Sequence, residues 1–150
     1  LMEAIFEIIS IKQEIKQSDL RGAFEATTKP AILADIAKHY IQNEDREVFL
    51  LLIFNTKMRL IAIHRCSIGT IRAAMVTPRE VFKTAILNNA SCIAVAHNHP
   101  SSDPTESKED IEVTKKLLKA GDILGISLID HIIVAAHTDE YVSFKEKGII

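Results

Sequence analysis

The sequence predicts a layered α/β domain in which helices cover a mixed sheet. Three observations predict it. Glu47–Phe54, Ser91–His97 and Leu128–Ala135 are nearly continuous apolar runs, as in strands buried on both faces. Between them lie segments whose apolar residues recur at helical spacing. Strand and helix patterns therefore alternate along the chain, the arrangement that buries a sheet under helices.

The elements follow in order. Ile5–Glu14 is isoleucine-rich and reads as a strand, with a helix as the alternative, since short apolar runs fit both. Asp19–Thr28 reads as a loop. A helix then starts near Pro30, with Thr27 or Thr28 as its cap, and Ile32, Leu33, Ile36, Ala37, Tyr40 and Ile41 carry it to about residue 42. After a polar break at 43–46 comes the Glu47–Phe54 strand. A turn at Asn55–Lys57 leads into a returning strand, Met58–Ser67. Thr77-Pro78-Arg79-Glu80 has the form of a capping box and opens a helix to about Asn89. Ser107 to about Ala120 is the next helix, with Gly121 as its stop. Tyr141–Phe144 closes the chain as an edge strand.

Length and composition bound the function. The chain has 150 residues without a repeat or linker, so it reads as one domain over 1–150, with a core from about 28 and an N-terminal strand and loop before it. A net charge of −2 offers no general attraction for DNA or anionic membrane, which makes DNA an unfavoured partner without excluding a local basic patch. The two cysteines, Cys66 and Cys92, form no ligand pair, and Cys92 sits in an apolar run as a core residue would. No secretory signal stands out, and no apolar stretch approaches the ~20 residues of a membrane helix. The expectation is a cytoplasmic protein. The oligomeric state stays open, homo-oligomers included.

The chemistry concentrates in His97-Asn98-His99 and the residues that follow. Two histidines two apart on extended chain face the same side, where their imidazoles can share one metal. They leave a buried strand at the end where open α/β sheets place their sites. Ser107 and Asp110 are three apart at a helix start and share a face. The loop from Pro100 to Glu106 is long enough to bring that first turn back over the histidines. A His/His/carboxylate set leaves one tetrahedral position for water, as catalytic zinc sites do. Singly, each feature has an ordinary explanation: paired surface histidines, or a capped helix. The spacing H-x-H-x7-S-x2-D after a buried strand joins them.

That spacing matches the motif of the JAMM (MPN/JAB) metalloprotease superfamily. The text from His97 to Val134, HNHPSSDPTESKEDIEVTKKLLKAGDILGISLIDHIIV, resembles its RadC-like branch, and the likeness runs from about Glu47 to the C-terminus and more loosely back to residue 5. The resemblance implies a three-layer α-β-α fold of the cytidine deaminase kind. It implies one Zn2+ per chain held by His97, His99 and Asp110. Ser107 matches the serine that helps hold the zinc water or the developing oxyanion. Glu47, at the head of its strand, fits the place of the acid/base glutamate, and Glu80 is the rival, although a capping role explains Glu80 well. Asp130 and His131 match an LIDH stretch and are read as outer supports for the metal site, with a core histidine as the alternative for His131. Ser102 stands where glycine is usual, Glu106 where proline is, and His64 where glutamate is common.

The resemblance implies a zinc-dependent hydrolase that cleaves a peptide or isopeptide bond in a peptide or protein substrate. The alternative is a non-catalytic zinc-containing module linked to DNA repair or recombination. The helix-hairpin-helix segment common in longer relatives does not occur in these 150 residues.

Overall fold

Every residue of β1 (Val48–Phe54) is buried, because this strand lies inside a sheet covered on both faces. The computed structural model describes residues 2–20, 28–69 and 76–150. The remaining elements are α1 (Pro30–Ile41), β2 (Leu60–Ile68), α2 (Pro78–Leu87), β3 (Cys92–His99), α3 (Lys108–Leu124), β4 (Ser127–Ala135) and β5 (Tyr141–Ser143). The strands form one five-stranded sheet in the order β2-β1-β3-β4-β5. β1 runs antiparallel to β2 and β3, β3 parallel to β4, and β4 antiparallel to β5, so the sheet is mixed as expected.

The period-2 alternation of strand side chains divides the core into two faces. Leu50, Leu52 and Phe54 of β1, with Ala94 and Ala96 of β3, pack under Leu33, Ile36 and Ala37 of α1. Leu51 and Ile53, with Ile93 and Val95, pack under Val81 and Phe82 of α2 and Leu117 of α3. Each fully buried leucine or isoleucine contributes about 1.5–3 kcal/mol. The expected three-layer α/β architecture is present. Cys92 is buried as predicted, and burial, with the charge of Glu80 adding to it, pushes the Cys66 thiol up to about 12.

Several expectations need correction. Ile5–Glu14 is neither strand nor helix: it carries no regular secondary structure, and Ile5, Phe6, Ile8 and Ile9 are exposed. A strand requires a partner ladder, whereas this segment meets the domain through side chains, as Gln13 does with Asn88. The helix expected to stop at Gly121 continues to Leu124, and Gly125, at φ 72°, caps it instead. Gly121 serves a different need: a Cβ there would lie 2.3 Å from the Ile126 carbonyl oxygen. Thr77 does cap α2 by position, but no side-chain bond completes a capping box with Glu80. α1 is capped by position at Lys29 rather than Thr28, and Thr27 lies outside the described residues. Among the described residues, no helix is long and apolar enough to cross a membrane.

Candidate metal centre

β1 and β3 bring the first groups together. Phe49 pairs with His97 at the end of their antiparallel ladder. Continuing that register by two residues sets Glu47 across from His99, on the same face of the sheet. One carboxylate oxygen of Glu47 and one ring nitrogen of each histidine lie within 4.8 Å of one another. Glu80 is exposed on α2 and takes no part in this cluster.

α3 supplies the next group. Its N-cap is Ser107, whose Oγ accepts from the Asp110 N–H at 3.1 Å, while the Asp110 carboxylate accepts from the Ser107 N–H at 2.9 Å. This reciprocal box satisfies two orphan donors of the helix start. It also aims the carboxylate back at the sheet. Asp110 Oδ1 is 3.2 Å from His97 Nε2, and its Oδ2 is 3.4 Å from His99 Nε2. The two Nε2 atoms are 3.1 Å apart.

The bonds behind this triangle assign its protons. The Thr114 hydroxyl donates to the Asp110 carbonyl at 2.7 Å, so it accepts from His131 Nδ1 at 2.6 Å. His131 is fully buried, and burial holds its pKa well below the ordinary value, with the neighbouring His97 adding to the effect. A neutral His131 protonated on Nδ1 presents a lone pair on Nε2, which accepts from His97 Nδ1 at 2.8 Å. His97 Nε2 is then a lone pair. His99 Nδ1 donates to the Asp103 carbonyl at 3.0 Å, which leaves its Nε2 a lone pair as well. Phe49 stacks on His97 and Phe144 on His131, fixing the rings in an apolar wall.

Three acceptors therefore face one another, and they repel unless a cation sits among them. A proton is the smallest such cation. Burial opposes a charged His99, but the Asp110 carboxylate and the Asp103 carbonyl outweigh it and raise its pKa. Burial likewise opposes ionisation of Asp110, yet His97 and His99 hold its carboxyl well below the usual carboxylate range. A divalent metal is the other cation that fits. Three donors at ~2.0–2.1 Å from a tetrahedral zinc lie about 3.3 Å apart, close to the separations found here. The donor set, two imidazoles and a carboxylate, is also the kind zinc takes.

The remaining sequence-predicted residue lies elsewhere. The buried Asp130 carboxylate accepts from Ser143 Oγ at 2.7 Å and from the backbone N–H groups of His131 and Lys145, so it fastens β4 to β5 and the turn after it. Burial raises its pKa. Thr114, Phe49, Phe144 and Asn98 were not singled out from the sequence. Thr114 alone carried a signal, because it lies four residues after Asp110 and so on the same helical face.

This α-β-α domain gathers two histidines and two carboxylates at one end of its sheet, an arrangement compatible with a bound metal. A profile of the RadC-like JAB domain matches residues 27–149, and the chain belongs to that family. It is 39% identical over 147 residues to a UPF0758 protein of Desulforamulus reducens, covering 95% of this chain and 64% of the relative. It is 44% identical over 128 residues to a UPF0758 protein of Caldanaerobacter subterraneus, covering 85% of this chain and 54% of the relative. The chain thus spans between about half and two thirds of the length of these relatives.

Proposed function

We propose that this domain is a zinc-dependent hydrolase of the JAMM type that cleaves a peptide or isopeptide bond. The observation that carries the reading is the triangle of His97 Nε2, His99 Nε2 and the Asp110 carboxylate, at 3.1–3.4 Å with their lone pairs converging. These three residues hold the metal. Glu47 is the outer carboxylate in this reading, because Asp110 brings one oxygen to each ring nitrogen, at 3.2 Å from His97 and 3.4 Å from His99.

Zinc held there would supply a Lewis acid that makes a water easier to deprotonate. Glu47 takes a proton from the attacking water on its carboxylate and returns it to the leaving nitrogen. Ser107 accepts from the Asp110 N–H, which leaves its own O–H to donate to the carbonyl oxygen as charge grows there. Phe49 and Phe144 exclude water from the far side of the histidines.

The test is metal content followed by a screen of peptide and isopeptide substrates. Wild type should bind about one zinc per chain, and His99→Ala should lose it. Turnover in wild type, absent in Glu47→Gln with its zinc retained, supports the reading. Absence of zinc from reconstituted wild type would sink it.

A further inference from the structure

His97 and His99 face α3, and the residue between them points to the opposite side of the sheet. Asn98 is fully buried there. Its three hydrogen bonds all go to one short segment. Oδ1 accepts from the Val48 N–H at 2.7 Å, and Nδ2 donates to the carbonyls of Arg46 at 2.9 Å and Glu44 at 3.3 Å. These contacts flank Glu47 on both sides. The ladder between β1 and β3 has its last pair at Phe49 and His97, so the Asn98 amide extends the attachment beyond it. The Glu47 carbonyl is fixed separately, by the Gly69 N–H at 2.8 Å.

The geometry points to Asn98 as the positioning residue for Glu47: a buried amide in the histidine strand that sets where the segment bearing the carboxylate enters the sheet. The physical ground is period 2. A slip of one residue where Glu47 enters β1 would turn its side chain away from the histidines. A buried amide whose donors lose their carbonyls leaves unpaired groups at a cost, so the segment is held in one phase. The histidines and the carboxylate are then placed by the same three residues of β3. This inference rests on the proposed metal-site reading.

The test uses the full 150-residue chain loaded with Co2+, whose visible absorption reports the groups around it. Its pH midpoint is read in wild type, Glu47→Gln, Asn98→Ala and the double variant. Glu47→Gln should move the midpoint by about one unit or more, as loss of a nearby charge does. Asn98→Ala should move it in the same direction, with Co2+ still bound stoichiometrically. The double variant should shift no further than Glu47→Gln alone, because the group through which Asn98 acts is already gone. If Asn98→Ala does not fold, Asn98→Ser, whose hydroxyl is too short to reach both carbonyls, takes its place. Additive shifts, or a lowered melting temperature with an unmoved midpoint, would overturn the inference and leave Asn98 a packing residue. Wild type that takes up no Co2+, or an unmoved midpoint in Glu47→Gln, would overturn the metal-site reading, and this inference with it.

Discussion

His131 Nε2 accepts the Nδ1 proton of His97 at 2.8 Å, and this one bond decides which nitrogen of His97 is left to face Asp110. The assignment begins at a backbone carbonyl, that of Asp110, through the Thr114 hydroxyl. Partners of this kind orient a metal-binding histidine and raise its basicity. Thr114→Val removes the hydroxyl at nearly constant volume. It should lower zinc affinity about tenfold or more, read by competition with a chromophoric chelator. Unchanged affinity would mean that the His97 tautomer is set by something else.

The two carboxylates should separate in metal binding. Asp110→Asn should release zinc at micromolar chelator, while Glu47→Gln should keep about one zinc per chain by elemental analysis. The reverse pattern would assign Glu47 as the third ligand, a set the cluster of Glu47, His97 and His99 also allows.

In metal-free protein His131 and His99 should oppose each other in pH dependence. The folded-state pKa of His131 is lowered, so below its unfolded value of ~6.5 the unfolded chain binds the extra proton and stability falls as pH drops. The folded-state pKa of His99 is raised, so its contribution is fully present below ~6.5 and is lost as pH rises through the folded value. Together they place their stability maximum near pH 6.5. Urea midpoints in the presence of chelator, from about pH 5 to 8, should show it. His131→Gln should flatten the acid side and His99→Gln the alkaline side. A midpoint that climbs steadily across this range would contradict the assignment.

Gly121→Ala should destabilise the domain although alanine favours helix. The added Cβ would meet the Ile126 carbonyl oxygen at 2.3 Å, and neither backbone can move without disturbing the turn at Gly125. Overpacking of this sort costs about 1–3 kcal/mol, against roughly 1 kcal/mol gained in propensity. Thermal unfolding of the variant should begin at lower temperature. A stabilised variant would show that the α3–β4 turn yields easily.

Much of this arrangement was legible in the sequence. Buried strands announce themselves as apolar runs, and β1, β3 and β4 lie within two residues of where those runs place them. His97 and His99 follow from strand alternation, and the Ser107–Asp110 box from helix-start chemistry. Glu47 was placed by a resemblance and by its position at the head of a strand, but its approach to His99 depends on antiparallel pairing across chain far apart in sequence. Asn98 was hidden because it sits inside the histidine motif while serving the other face of the sheet. Phe49 and Phe144 looked like ordinary core residues, since stacking on an imidazole leaves no mark in a pattern of apolar positions. Gly121 misled because glycine marks both helix ends and close backbone approach, and the second use applies here. The N-terminal isoleucines misled because apolar content alone does not supply a strand partner.

The stretch from His97 to Asp110 contains every group proposed to hold the metal, whereas Glu47 lies far upstream. Closing a short loop costs little entropy and happens early; joining distant strands comes later. A nascent or partly unfolded chain would then be able to capture zinc before β1 has docked beside β3. Such a chain would carry the metal yet lack its proton acceptor. Under the proposed reading, hydrolytic competence would arrive last, with the completed sheet, and an unfinished molecule would hold its ion without cutting its neighbours.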